Sequence, residues 1–315
     1  MMVIKGKTVL VTGAGGFTGS HLSRALVKQG ADVIAYVKRG SPTANLSDIA
    51  SHIKILKGDI QDYTNLFNTM KGVDYVFHVA AIVPVNESRD LPYLSTQVNT
   101  VGTFNVAWAA LNAGVKKMLY TSTCHVYGNQ PESQLPIKED AMPNPLDIYS
   151  ATKYAGEILL RQFMKIDGIE IVITRAFNKY GPNQVGDWLF PRTIKKVMTM
   201  NNIKVGNPNS TRDYSYIEDV VQGYILALEK GKNGDVFNLG SGKEISVRDV
   251  VEKIIAASGR KVSVEWETYR DVDILRSFGD YSKAKKALGW EPKTPLDDGI
   301  RKTVDWWKQH PELLK

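Results

Sequence analysis

At 315 residues, 43% of them hydrophobic and 23% charged, the chain can bury a large core without metal ions or disulfides, which excludes fibrous, disordered and disulfide-scaffold classes. Its one cysteine, Cys124, fits a reducing, cytoplasmic compartment, and the residues ahead of the first glycine cluster are too few for a secretory signal. The net charge of +7 comes from scattered lysines and arginines, and no run reaches the roughly 18 apolar residues of a membrane span, so neither nucleic acid nor a membrane is an expected partner.

Six short runs rich in β-branched residues occupy the first 175 positions: 8–12, 32–37, 53–56, 75–79, 118–122 and 169–174. Their near-continuous apolar character predicts strands buried on both faces, and stretches between them such as 21–29 and 101–112 predict helices. Alternation of strand and helix implies right-handed crossovers, hence an α/β fold with a Rossmann-type doubly wound parallel sheet. After residue 180 the rhythm breaks at Gly181-Pro182, Asn207-Pro208-Asn209 and Gly240-Ser241-Gly242, which predicts a smaller mixed α/β substrate-binding lobe. The expected division is a dinucleotide-binding domain over 1–177 and a second lobe over 178–315, with some chain passing back to the first. Ligands belong at the C-terminal edge of such a sheet.

The first strand runs into Thr12-Gly13-Ala14-Gly15-Gly16-Phe17-Thr18-Gly19. Gly13 permits the tight turn, Gly16 lets backbone approach a pyrophosphate, and Gly19 lets the helix sit close on the strand. Phe17 and Thr18 then open a helix whose N-terminus faces the phosphates. The second strand ends Val37-Lys38-Arg39-Gly40, without an acid for a ribose 2′-hydroxyl. Two cations stand where a 2′-phosphate would lie, which favours NADP over NAD unless both are plain loop surface. Asp59 and Ile60 belong beside the adenine, and Val79-Ala80-Ala81 beside the diphosphate.

Further along, Tyr149-Ser150-Ala151-Thr152-Lys153 opens a helical stretch that continues to Phe163. The i, i+4 spacing places Tyr149 and Lys153 on one face, where an ammonium lowers the phenol's pKa. Such a tyrosine can act as general base on a hydroxyl while hydride leaves for a nicotinamide. Thr121-Ser122-Thr123 ends the fifth strand, and the Thr123 hydroxyl can bridge Tyr149 and the substrate oxygen.

In combination these motifs resemble the nucleotide-sugar epimerase/dehydratase family of extended short-chain dehydrogenases/reductases, from Lys7 to about Trp307. The resemblance also rests on Val76-Phe77-His78-Val79-Ala80-Ala81, Asn99-Thr100-Val101-Gly102-Thr103, Thr121 to Gly128, Asn178-Lys179-Tyr180-Gly181-Pro182 and Thr211-Arg212-Asp213-Tyr214. It implies Tyr149 as base, Lys153 as its partner and ribose ligand, Thr123 as the hydroxyl bridge, and Asn99 and Thr121 on the cofactor. It further implies Val83, Cys124 and Asn178 on the substrate, a diphosphate clamp from Arg212 and Arg270, and an NDP-sugar as partner. A homodimer formed through the helices near 99–112 and 149–163 is implied as well.

The residues after Thr123 bear on the reaction. Many dehydratases of the resembled family carry Asp-Glu or Ser-Glu there, whereas this chain has Cys124 and His125. A 4-epimerase needs no such acid and base, so 4-epimerisation of an NDP-hexose is favoured. His125 leaves a 4,6-dehydratase open, since a histidine there can titrate near neutrality and remove a C5 proton; a packed histidine is the plainer reading. Lys38 and Arg39 leave an NADPH-dependent reductase of 4-keto sugars open. From another class, a non-catalytic dinucleotide sensor is disfavoured by the tyrosine–lysine pair. No histidine has metal-ligand spacing, so no metal is expected.

Overall fold

The six apolar runs form β1 Thr8–Thr12, β2 Asp32–Val37, β3 Ile53–Lys57, β4 Tyr75–His78, β5 Lys117–Thr123 and β6 Glu170–Ala176. They are seen in a computed structural model that describes residues 4–83, 85–267 and 276–314, the side chains of 85 and 86 excepted. Between them lie α1 Phe17–Lys28, α2 Tyr63–Met70, two short helices α3 Val85–Asp90 and α4 Pro92–Thr96, then α5 Gly102–Asn112 and α6 Ile148–Phe163. Helix α1 begins at Phe17, earlier than the apolar period indicates, because the glycines at 16 and 19 let it start directly at the turn.

Beyond β6 follow β7 Asn178–Tyr180, α7 Leu189–Thr199, β8 Asn202–Val205, β9 Thr211–Arg212, β10 Tyr214–Tyr216, α8 Ile217–Lys230 and β11 Val236–Leu239. Strand β11 rejoins the large sheet beside β6, completing a seven-stranded sheet in the order β11-β6-β5-β4-β1-β2-β3. Every pairing in it is parallel. The order reverses between β1 and β4, the switch point at which open α/β sheets leave a crevice.

Residues alternate between the faces, as strand geometry requires. Val9, Val11, Phe77 and Leu119 pack under α1 and α8, whereas Leu10, Val76, Met118 and Tyr120 pack under α2, α5 and α6. A separate apolar cluster holds the smaller lobe together, with Ile194 and Val197 of α7, Ile203 and Val205 of β8, Val250, Ile254 and Val304 at its centre. Among the described residues no helix is long and apolar enough to cross a membrane.

Candidate active site

A cleft of about 1050 Å³ runs along the C-terminal edge of the sheet and on to residues that follow β6. Its dinucleotide half is built on Gly13, whose φ of +68° is the left-handed conformation that suits glycine. A Cβ there would meet the Ala80 Cα at 2.8 Å, so the turns after β1 and β4 approach as closely as backbone allows. A directional chain of hydrogen bonds locks them. Thr12 Oγ1 accepts from the amides of Val79 and Ala80 at 3.1 and 3.2 Å, so its own proton goes to His78 Nδ1 at 2.8 Å. His78 then donates from Nε2 to Thr103 Oγ1 at 2.9 Å, and Thr103 donates to the Asn99 carbonyl at 2.6 Å. Burial pushes the His78 pKa well down and keeps the ring neutral, as this arrangement needs.

Gly13, Gly16, Phe17, Thr18, Gly19, Lys38, Asp59, Ile60, Val79, Ala80, Ala81 and Thr121 all line this half. Helix α1 has no side-chain cap at its N-terminus, so its first-turn N–H groups are left to a ligand. This cradle fits the pyrophosphate of a dinucleotide. Two expected cofactor residues are elsewhere. Arg39 is exposed and does not line the cleft, because the chain turns outward at Gly40, whose φ is +80°. Asn99 is fully buried behind the wall: its Oδ1 accepts from the Ile82 amide at 2.8 Å, and its Nδ2 donates to the Ile82 carbonyl and to Thr152 Oγ1, both at 3.0 Å. It ties the turn after β4 to α6 rather than facing a ligand. Ser41 and Asn45, which the sequence did not single out, do line the cleft, and Asn45 Nδ2 holds the Gly15 carbonyl at 3.1 Å.

The catalytic half rests on the start of α6. Asp147 caps it: Oδ1 accepts from the Ser150 amide at 2.7 Å, and Ser150 Oγ receives the Asp147 amide at 3.2 Å. That fixes Tyr149 in the first turn and Lys153 one turn on, both buried and both lining the cleft. The Tyr149 hydroxyl lies beside that of Thr123, which acts on its titration. The expected depression of the phenol by Lys153 is not what the geometry gives. Burial dominates and raises the Tyr149 pKa, with Thr123 pulling the other way. Lys153 instead lies with Nζ 4.1 Å from the Tyr120 ring centroid, and burial together with the nearby Lys179 ammonium lowers it to about 7.

Below these side chains a buried network joins β5, α6 and β6. Ser122 Oγ donates to Glu157 Oε1 at 2.5 Å, and Arg175 grips Glu157 with Nε at 3.0 Å and Nη2 at 2.7 Å. The Arg175 guanidinium also lies over the Tyr127 ring at 4.8 Å.

Thr123 Oγ1 accepts from the His125 amide at 3.2 Å and opens the short turn Cys124–Tyr127. Burial pushes the Cys124 thiol up to about 12, leaving it neutral. His125 lies edge-on to Tyr149 with ring centroids 6.0 Å apart, and its Nδ1 is 3.9 Å from Asp147 Oδ2. Val83 after β4, and Asn178 and Arg212 beyond β6, line the cleft, while Arg270 lies outside the described residues. Lys179, Trp188 and Arg192 also line it; their pattern carries no spacing signal that marks a site. Among the described residues no three His, Cys, Asp or Glu side chains converge on a metal position.

A parallel sheet with a glycine turn at its switch point and a tyrosine–lysine pair on a facing helix defines an extended short-chain dehydrogenase/reductase. Residues 10–303 match the family described as GDP-mannose 4,6 dehydratase, and the chain belongs to that family. It is 34% identical to a UDP-glucose 4-epimerase of Mycolicibacterium smegmatis, over 95% of this chain and 98% of the relative. It spans about half the length (48%) of a trifunctional UDP-glucose 4,6-dehydratase, 3,5-epimerase and reductase of Arabidopsis thaliana, to which it is 32% identical over 98% of its own length. Among solved structures, an epimerase of Methanothermobacter thermautotrophicus superposes with a TM-score of 0.93 at 31% identity, covering 99% of this chain and 95% of that one. A dTDP-glucose 4,6-dehydratase of Streptomyces venezuelae with NAD bound gives 0.91 at 28% identity, covering 98% of this chain and all (100%) of that one.

Proposed function

We propose that the chain is an NDP-sugar 4-epimerase that oxidises its substrate transiently at C4. The observation that carries this reading is the convergence of Thr123, Tyr149 and Lys153 on one cleft, with a neutral thiol and a histidine, not carboxylates, in the two positions after Thr123. Tyr149 takes the proton of the C4 hydroxyl, and Thr123 holds that oxygen on the other side. Burial alone keeps the Tyr149 phenol protonated; the positive charge of a bound oxidised nicotinamide would favour the phenolate that accepts the proton, and Lys153, close above Tyr120, would hold the cofactor ribose. A bound nicotinamide supplies the hydride acceptor and donor. Epimerisation then requires that the cleft let the 4-ketone turn over and present its other face to the same cofactor, and Tyr149 would return the proton to oxygen. Asn178 and Arg212 hold the diphosphate.

Incubation with UDP-, dTDP-, GDP- and CDP-hexoses tests this: a new isomer of unchanged mass is expected. A second reading is favoured by one contact, the approach of His125 to Asp147 beside Tyr149. There His125 is the base that removes the C5 proton of a 4-ketone, and the product is 18 mass units lighter for the lost water. That product would replace the epimerase reading.

Lys38, at the end of β2 and lining the cleft, supports NADP(H) as the cofactor. Lys38→Asp is expected to weaken NADP(H) at least roughly tenfold and to strengthen NAD, since a charged hydrogen bond contributes about 1.5–3 kcal/mol. Titration of cofactor fluorescence reads both, and a wild type that prefers NAD refutes the assignment.

The partner of the protein itself is a second copy. Val101, Phe104 and Trp108 form a row that is 38–39% exposed at the start and along α5, next to Phe163 of α6, whose ring is 5.5 Å from that of Phe104. Ile158 of α6 is 47% exposed. Two such helix pairs brought together by a twofold axis bury this surface in a four-helix contact. Light scattering is expected to give twice the 35.0 kDa chain mass; a value near one chain mass refutes it.

A further inference from the structure

The loop over 181–188, between β7 and α7, lines the cleft with Asn183, Gln184, Val185, Asp187 and Trp188. Its two ends meet: the rings of Tyr180 and Phe190 stack with centroids 4.4 Å apart, and Asp187 is tied to Arg192 at 3.2 Å. Surface loops closed at the base in this way are frequently functional. Inside the loop, pairing is sparse. The Gln184 amide donates to the Gly181 carbonyl at 3.3 Å, and Gln184 Nε2 donates to the Lys179 carbonyl at 3.0 Å. Asn183 has a φ of +65°, the one positive value at a non-glycine residue among the described residues. Such a conformation persists where the surroundings fix it.

The constraint comes from the helix that faces the cofactor. His21 lies one turn after Phe17 on α1, with the two rings edge-on at 5.6 Å, and Phe17 itself lines the cleft. His21 Nε2 is 2.9 Å from the carbonyl oxygen of Pro182, 161 positions along the chain and next to Asn183. A carbonyl only accepts, so Nε2 carries the proton and donates. Among the described residues this is the one hydrogen bond that joins residues before β7 to the loop. His21 does not itself line the cleft. The pyrophosphate cradle is made of backbone at Gly13, Gly16 and the first turn of α1, which a side-chain change at position 21 leaves in place.

We propose that His21 is a positioning residue: its hydrogen bond to Pro182 sets the 181–188 loop along the cleft, so that affinity for the nucleotide sugar depends on an imidazole outside the cleft wall. This rests on the reading that a nucleotide sugar fills the part of the cleft beyond β6. Hydrogen–deuterium exchange of the whole protein reads the loop without any sugar. His21→Phe keeps an aromatic ring against Phe17 and loses the donor. In it the amides of 183–188 are expected to exchange about threefold to tenfold faster, and those of 17–28 at the wild-type rate. UDP-, dTDP-, GDP- and CDP-hexoses titrated into the cofactor-loaded variant are expected to bind about threefold to tenfold more weakly, with cofactor affinity unchanged. His21→Gln, which can donate again, is expected to restore part of both. Thermal melting shows that each variant is folded, and His21→Leu replaces a Phe variant that is not.

Unchanged exchange of the loop in His21→Phe overturns the proposal. So does faster exchange with unchanged sugar affinity, or a cofactor affinity that falls as far as that of the sugar, which would make His21 a part of the cofactor helix alone. Wild type that binds none of these hexoses overturns this inference and the epimerase together. Otherwise the two fail apart. Binding and loop exchange that depend on His21, without a new isomer, keep this inference and overturn the epimerase; a new isomer with neither dependence does the reverse.

Discussion

Tyr149→Phe is expected to lower turnover by about a thousandfold, within the 10²–10⁴ that a positioned general base contributes, while cofactor and sugar still bind. The substitution removes one oxygen and keeps the ring in its pocket against His125. What is lost is the hydroxyl beside Thr123. Stability is expected to hold, because the raised phenol is protonated and neutral at pH 7, so no charge is removed from the interior. Steady-state rates with thermal melting as control decide the matter. Undiminished turnover would take the proton transfer away from Tyr149, and retained physiological activity would return the sensor reading.

The second large effect concerns stability. Arg175→Met is expected to destabilise the fold by about 3–5 kcal/mol and to lower the melting midpoint by about five to eight degrees, because Glu157 is left buried without its counter-charge. Both side chains are almost fully buried, at 2% and 0% exposure, so water cannot replace the lost partner. Ser122 would keep one hydrogen bond to Glu157, which is too little for a carboxylate in that position. The double variant Arg175→Met with Glu157→Leu is expected to recover much of the loss, since it removes both charges. Urea denaturation of the two variants reads the difference. If the single variant is as stable as the double, the ion pair contributes nothing that packing does not.

How much of this was legible in the sequence follows from the range of the forces involved. Glycines at 13, 16 and 19 declare themselves because each answers a local steric demand, as the Ala80 backbone at 2.8 Å shows for Gly13. The six strands announced themselves because burial on both faces leaves no polar alternation. Tyr149 and Lys153 could be paired because helical spacing is fixed by the backbone. Non-local relations were not legible. Asn99 reads as a site residue in its motif, yet its amide is consumed by Ile82 and Thr152, 17 and 53 positions away. Arg39 neighbours Lys38 in the chain but not in the cleft. The effect of Lys153 on Tyr149 was expected from spacing alone, whereas burial, a property of the whole fold, sets the sign.

Strand β11 carries a consequence for how this chain can be cut and recombined. It comes from residues 236–239, well past the start of the second lobe, yet pairs with β6 along Ile173 to Ala176. A fragment ending at 177 would expose the open edge of β6, an invitation to intermolecular pairing. The same fragment would lose α8, whose Val220 and Tyr224 complete the apolar layer over β1 and β5. Exchange of sugar specificity between homologues by swapping a C-terminal half would therefore carry a sheet edge and half a core with it. Grafts confined to the segments between β7 and β10, and after β11, leave the nucleotide platform whole.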